Sequence, residues 1–133
     1  MEGKGRITGH TGLLALIGSP VGHSGSPAMY NYSFEKLGLD YAYVAFDIKV
    51  EEVKAALDAM RLFHMRGCNV TMPCKTEAAK YMDELSPAAR IIGAVNTIVN
   101  EDGKLIGHMT DGEGFVGNLR DHGIEIKGKK ITV

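Results

Sequence analysis

The sequence predicts an α/β fold in three layers, α/β/α, built on a mostly parallel, mixed sheet that includes one hairpin. Three observations carry that expectation. Short apolar runs of strand composition alternate along the chain with segments of helical periodicity, the pattern of parallel strands joined by helical crossovers. The first run, residues 13–17 (LLALI), is apolar at every position, as a strand covered on both faces requires. Stretches 94–99 and 104–108 flank Asn100-Glu101-Asp102-Gly103, where Asp-Gly favours the left-handed backbone of a hairpin turn, so one strand pair is antiparallel.

Taken in order, strand 13–17 runs into the loop Gly18-Ser19-Pro20-Val21-Gly22-His23-Ser24-Gly25. Ser26-Pro27 then reads as an N-cap followed by proline at the first helical position; Tyr30, Phe34 and Leu37 recur at helical spacing, and Gly38 stands at the stop. Residues 41–46 (YAYVAF) are rich in β-formers, and Val53, Leu57 and Met60 mark one face of a helix over 50–64. Cys68-Asn69-Val70 is a third, very short strand. After Pro73, the spacing of Ala78, Ala79, Met82 and Leu85 predicts a helix running to Ser86. Ser86-Pro87 repeats the cap-then-proline signature and opens a shorter helix through Arg90, stopped by Gly93. Residues 114–120 read as helical, and 129–133 (KKITV) as the beginning of a further strand.

A chain of 133 residues with 44% hydrophobic and 23% charged residues is an ordinary globular composition sized for one domain. Fifteen Lys and Arg against sixteen Asp and Glu leave a net charge of −1, which provides no basic footprint for nucleic acid or an anionic membrane surface. The two cysteines, Cys68 and Cys74, lie in no zinc-ligand pattern and do not amount to a disulfide scaffold, which fits a reducing cytoplasm. The opening MEGKGRITGHTG has no apolar leader, and 13–17 is too short to cross a bilayer. His10, His64, His108 and His122 are scattered without ligand spacing, so no metal site is expected.

In open α/β sheets, ligands bind beyond the carboxyl ends of the strands, which singles out residues 19–25, 70–75, the neighbourhood of Asn96, and 107–112. Ser24 and Ser26 sit two apart where a helix begins, so hydroxyls and free N–H groups can converge on a carboxylate; Ser26 as a simple cap and Ser24 as a turn former is the competing reading. Lys75 lies just beyond the third strand. A solvated lysine in a first helical turn is the plain alternative, yet a cation near a helix N-terminus is electrostatically misplaced, which favours a functional role. Asp111 follows the second hairpin strand and could equally be a helix cap. Gly112-Glu113-Gly114-Phe115-Val116-Gly117 matches G-x-G-x-x-G literally. The strand before it is polar and hairpin-paired, however, and no acidic residue can follow at about 20 positions, so it is a poor dinucleotide fingerprint.

Four motifs in this order resemble the shikimate dehydrogenase family, including its quinate/shikimate branch. They are Gly18-Ser19-Pro20 with His23-Ser24-Gly25-Ser26-Pro27; Asn69-Val70-Thr71-Met72-Pro73-Cys74-Lys75; Gly93-Ala94-Val95-Asn96-Thr97; and Thr110-Asp111-Gly112. The resemblance covers nearly the whole chain from about Leu13 and corresponds to the family's N-terminal substrate-binding domain. It implies a flexible segment over 1–12, the shikimate-binding catalytic domain over 13–123, and over 124–133 a linker with the first strand of a nicotinamide-binding Rossmann domain. It further implies that Ser24, Ser26 and Thr71 hold a substrate carboxylate, that Asn96 and Asp111 bind ring hydroxyls, and that Lys75 is the catalytic lysine, oriented by Asp111.

The reaction implied is the reversible reduction of 3-dehydroshikimate to shikimate, with quinate as a possible further substrate. NADP or NAD would be bound mainly by the following domain, and this chain alone would be inactive. Which of Lys75 and Asp111 accepts the proton in the oxidative direction stays open. Two positions depart from the family pattern: Met109 replaces the usual Asn before Thr-Asp-Gly, and Gly25 separates the serines where a larger residue is common. A non-enzymatic small-acid binding or regulatory domain using the same pocket is the second functional class, and a small dinucleotide binder built on 112–117 the third.

Overall fold

The computed structural model describes residues 6–132. Within them the order is β1 (Gly12–Gly18), α1 (Ser26–Leu37), β2 (Tyr41–Asp47), a 3₁₀ turn (Val50–Glu52) leading into α2 (Val53–Leu62), and β3 (Gly67–Val70). The chain continues through α3 (Lys75–Ala79), β4 (Glu84–Leu85), α4 (Pro87–Ile92), β5 (Thr97–Glu101), β6 (Lys104–His108) and α5 (Asp111–Asp121). The strands form one sheet in the order β2-β1-β3-β5-β6-β4. β1 runs parallel to β2 and β3, and β4 parallel to β6; β5 is antiparallel to both of its neighbours, β3 and β6. This is the mixed, mostly parallel sheet expected. The hairpin closes where Glu101 pairs with Lys104, with Asp102 at φ 52° and Gly103 at φ 95° between them, the two left-handed residues that a two-residue hairpin loop demands.

Alternation along β1 sets the layers. Ala15 and Ile17 point into a core shared with Val53, Leu57 and Met60 of α2, Ala78 of α3 and Ala89 of α4, while Leu14 and Leu16 join Phe34 and Tyr30 of α1 on the opposite face. A strand apolar at every position is thus buried on both sides. β2 is an edge strand, and Asn31 of α1 blunts it: its Nδ2 donates to the Tyr43 carbonyl at 2.8 Å and its Oδ1 accepts from the Tyr43 N–H at 2.9 Å, the two bonds a neighbouring strand would have made.

Several local expectations are corrected. Ser26 does not cap α1; Gly25 does, and Ser26 is the first helical residue. The cause is Ser24, whose Oγ accepts the Ser26 N–H at 3.2 Å and takes over the capping role from two residues upstream. α2 proper spans only the middle of the expected helix, and α5 begins at Asp111, three residues early. Helix α3 ends at Ala79 and does not run on to Ser86. Met82 and Leu85 do pack on the core, but Leu85 does so from β4, because the Asp83 N–H bonds to the Leu105 carbonyl (2.9 Å) and the Ser86 N–H to the Gly107 carbonyl (2.9 Å). Gly107 makes this possible: a Cβ there would stand 2.8 Å from Met82 Cγ and 3.0 Å from Leu85 Cδ2. Pairing with β6 overrides the local periodicity. Ser86 is the cap expected, its Oγ accepting from the Ala89 N–H at 3.3 Å.

Residues 129–132 form no strand, since none of them has a ladder partner among the described residues; Val133 lies outside these. Residues 1–5 of the lead segment also lie outside them. Over residues 8–11 the chain makes a turn tied to the Asp40 carboxylate by Thr11 Oγ1 at 2.7 Å, and Gly12 already pairs with Tyr41 in β1.

Candidate active site

The carboxyl ends of β1, β3 and β6 point to one edge of the sheet, and because β5 runs the other way its first residues arrive at that same edge. This brings the loops after β1, β3 and β6 and the approach to β5 together, as a ligand site in an open sheet requires. Backbone bonds lock them: Thr71 N–H to Ile17 O (2.9 Å), Ser19 N–H to Met72 O (3.0 Å), Val70 N–H to Asn96 O (2.8 Å) and Asn96 N–H to His108 O (2.9 Å). Between them lies an open polar cleft of about 290 Å³. Leu16 and Val70 contribute apolar surface; Ser26, Met29, Tyr30, Asn69, Thr71, Lys75, Asn96, Thr97, Thr110 and Asp111 supply the rest.

Lys75 is the first residue of α3, where the helix dipole opposes a cation. Asp111 offsets this. It opens α5, a favourable place for a carboxylate, and its Oδ2 accepts from Lys75 Nζ at 2.5 Å. Asn96 Nδ2 donates to Asp111 Oδ1 at 2.6 Å and to Thr110 Oγ1 at 2.9 Å, while Asn96 Oδ1 accepts the Thr110 N–H at 3.0 Å. Asn96 therefore fixes both the loop that delivers Asp111 and the carboxylate itself. The Lys75 hydrogen bond, with the Asn96 bond and the Lys75 charge, holds the Asp111 carboxyl below the usual carboxylate range against the opposing effect of burial. The depressed value means that any stability the pair contributes is present above the ordinary carboxylate pKa and is lost as pH falls through the folded value. Asp111 is 53% exposed, so solvent screens most of that contribution. A Lys75→Met chain is expected to raise the Asp111 midpoint toward the ordinary range in a carboxyl ¹³C titration; an unmoved midpoint would mean that Lys75 does not hold it.

Of the six residues singled out in the sequence, Ser26, Thr71, Lys75, Asn96 and Asp111 line this one cleft. Ser24 does not line it; its Oγ is engaged by the Ser26 N–H at the start of α1. Thr71 is set by Gly18, where an added Cβ would collide with Thr71 Cγ2 and come within 2.9 Å of the Met72 carbonyl. Asp111 is not the cap of α5, a position taken by Thr110. Of the two departures, Met109 packs against the core where an Asn would have offered a polar group, and Gly25 has open space around its Cα.

Sequence reasoning missed Asn69, Thr97, Thr110 and the tyrosines Tyr30 and Tyr43. Asn69 carried a readable signal, being a polar side chain inside the apolar strand Gly67–Val70. Tyr30 was legible only as a core position; the structure has it half-buried, stacked on Tyr43 with ring centroids 4.4 Å apart, and facing the cleft.

Other candidate features do not assemble. The G-x-G-x-x-G run lies within α5, not at the strand-to-helix turn that the dinucleotide fingerprint needs. These residues do not fit a dinucleotide. Among the described residues no group of three or more His, Cys, Asp or Glu is gathered for a metal, and no helix is long and apolar enough to cross a membrane. Cys68 and Cys74 are free and buried, and burial pushes the Cys68 thiol up to about 12.

Comparison with known proteins finds relatives of the same fold. A family model described as shikimate dehydrogenase substrate binding domain matches residues 16–98. The NADP(+) shikimate dehydrogenase of Listeria monocytogenes serotype 4b is 53% identical over 128 residues, covering 96% of this chain and 44% of the relative. The crystal structure of shikimate 5-dehydrogenase from Listeria monocytogenes in complex with shikimate and NAD superposes with a TM-score of 0.89 at 53% identity, covering 93% of this chain and 43% of that one. The Thermus thermophilus enzyme in complex with shikimate gives 0.85 at 41% identity, over 90% of this chain and 46% of that one. The chain thus spans less than half the length of the relatives it matches.

Proposed function

Since the chain belongs to the shikimate dehydrogenase substrate binding domain family, we propose that its cleft binds shikimate and 3-dehydroshikimate and supplies the proton side of their reversible interconversion. The single observation that carries this reading is the convergence on one sheet edge of hydroxyl groups and a Lys75–Asp111–Asn96 array. Ser26 and Thr71, with the N-terminus of α1 behind Ser26, suit a carboxylate; Ser24 supports that corner by ordering the first turn. Asn96 and Asp111 can exchange hydrogen bonds with ring hydroxyls. Reducing a ketone to an alcohol needs a hydride on carbon and a proton on oxygen. The Lys75 ammonium can polarise the carbonyl and donate that proton, with Asp111 holding it in line.

The hydride would come from NADP or NAD, bound mainly by sequence such as the remaining length of the relatives, and the 133-residue chain by itself would then bind without turnover. The domain division at 13–123, with a linker beyond it, belongs to the same reading. Two buried free thiols favour a cytoplasmic setting for it. A merely acid-binding domain would not need an ammonium–carboxylate pair facing the ring, which is why the enzymatic reading is preferred.

The test is an NMR titration of the chain with shikimate and, separately, quinate. Amide shifts confined to the surroundings of Ser24, Thr71, Lys75, Asn96 and Asp111 are expected, and a Ser24→Ala, Ser26→Ala double variant is expected to abolish them. No shift at millimolar ligand, in this chain or in a version extended by a relative's second half, would refute the reading.

A further inference from the structure

We propose that Tyr43 is a positioning residue of this cleft, acting through Asn69: its hydroxyl donates to the Asn69 amide, and that amide holds the carbonyl of Asn96, the residue whose side chain bonds Thr110 and Asp111. The proposal deepens the reading of the cleft given above and rests on it for its ligand-binding arm.

Tyr43 lies on the edge strand, two strands away from Asn69, and is only 3% exposed. Its backbone is clamped on both sides by Asn31, and its ring stacks on Tyr30, 12° from parallel. A phenylalanine would fill that slot equally well. The phenolic oxygen is therefore the unexplained atom, since burying a hydroxyl is costly unless it is bonded. Its hydrogen bond runs across β1 to Asn69 Oδ1 at 2.9 Å.

The other end of the amide decides the direction. Asn69 Nδ2 donates to the Asn96 carbonyl at 3.3 Å and to Thr97 Oγ1 at 3.2 Å. A carbonyl only accepts, so the NH₂ end must face Asn96, the Oδ1 end must face Tyr43, and the Tyr43 hydroxyl must be the donor. Burial pushes the Tyr43 phenol above its ordinary range, with Tyr30 and Cys68 acting in the same direction and Ser26 opposing. A defined chain of hydrogen bonds then leads from Tyr43 through Asn69 to Asn96, and from the Asn96 side chain to Thr110 and Asp111. The polar residue inside an otherwise apolar β3 gains a role: it relays the orientation set in β2 to Asn96 and Thr97 at the start of β5.

The decisive experiment follows hydrogen exchange of the Asn96 side-chain amide in the 133-residue chain. Tyr43→Phe keeps the ring stack and removes only the donor. It is expected to speed that exchange and to weaken shikimate binding by about 3- to 10-fold each, the equivalent of one hydrogen bond, with strand amide protection unchanged. On an Asn69→Ala background, Tyr43→Phe is expected to add nothing, because the relay is already cut. Asn96 exchange unaltered by Tyr43→Phe overturns the proposal, and so does an equal effect in the Asn69→Ala background, which would route the action through Ser26. If neither the wild-type chain nor the version extended by a relative's second half takes up shikimate, the ring-acid reading fails while the exchange measurement still decides the role of Tyr43. If it binds and Asn96 exchange is indifferent to the Tyr43 hydroxyl, that reading stands and the relay falls.

Discussion

Joined to the second half of the Listeria relative, a Lys75→Ala variant is expected to lose about 10²–10⁴-fold in kcat for shikimate oxidation, the usual contribution of a positioned acid–base group. Lys75 Nζ is the cationic donor in the cleft and is only 21% exposed, so a carbonyl oxygen bound beside it has little competing water. The variant should still fold: Asp111, left without its partner, remains half-exposed and can be hydrated, which limits the destabilisation to about 1 kcal/mol or less. Lys75→Arg separates charge from chemistry. A guanidinium keeps the cation and contacts for a ring hydroxyl but does not give up its proton. The expected result is a KM within several-fold of wild type with kcat still low, read from nicotinamide absorbance. Retention of kcat within tenfold in the Arg variant would show that Lys75 contributes charge alone.

The largest effect on stability is expected from Gly67→Ala. Gly67 is the first residue of β3, paired with Leu14 of β1 on one side and Val99 of β5 on the other. An added Cβ would collide with the Ile98 carbonyl oxygen, a backbone atom engaged in the β3–β5 ladder and without freedom to rotate away. Overpacking of this kind costs about 3 kcal/mol, which for a domain of this size lowers Tm by about 10 °C. The damage should be local in its consequence. Parting β3 from β5 separates Thr71 and Lys75 from Asn96, so shikimate binding should weaken even at temperatures where the variant is folded. A Gly93→Ala control sits in open space at φ 75° and carries only the left-handed penalty of about 1 kcal/mol. Equal melting temperatures for Gly67→Ala and wild type would refute the close-approach argument.

Much of this fold could be read from residue patterns because the signals are local. The uninterrupted apolar run in β1 reports two covered faces, Asp102-Gly103 reports a two-residue hairpin, and Ser86-Pro87 reports a capped helix start; each depends on backbone preferences or on burial that needs no distant partner. The error at Leu85 has the opposite property. Leu85 was assigned to a helix by its spacing, and only the bare Cα of Gly107, 22 residues away, admits it into a strand. Ser26 lost its cap role to Ser24, a competition between two good hydrogen-bond acceptors that composition does not rank.

The candidate site divides in the same way. Ser26, Thr71, Lys75, Asn96 and Asp111 were identifiable because each is a polar residue in a loop or at a helix start beyond a strand, and the motifs containing them resemble one family in the same order. By itself the sequence determined the alternation of strands and helices, the family and the set of candidate side chains, since these follow from periodicity and motif, which are properties of short segments. Tertiary structure alone decided that β5 pairs antiparallel with β3 and so delivers Asn96 to the edge where Lys75 and Asp111 meet. It also decided that Tyr43 and Asn69 stand behind that meeting point. The physical reason is that strand order and hydrogen-bond direction depend on which segments become neighbours, and the pairs that meet here, Tyr43 with Asn69 and Lys75 with Asp111, lie 26 and 36 residues apart in the chain.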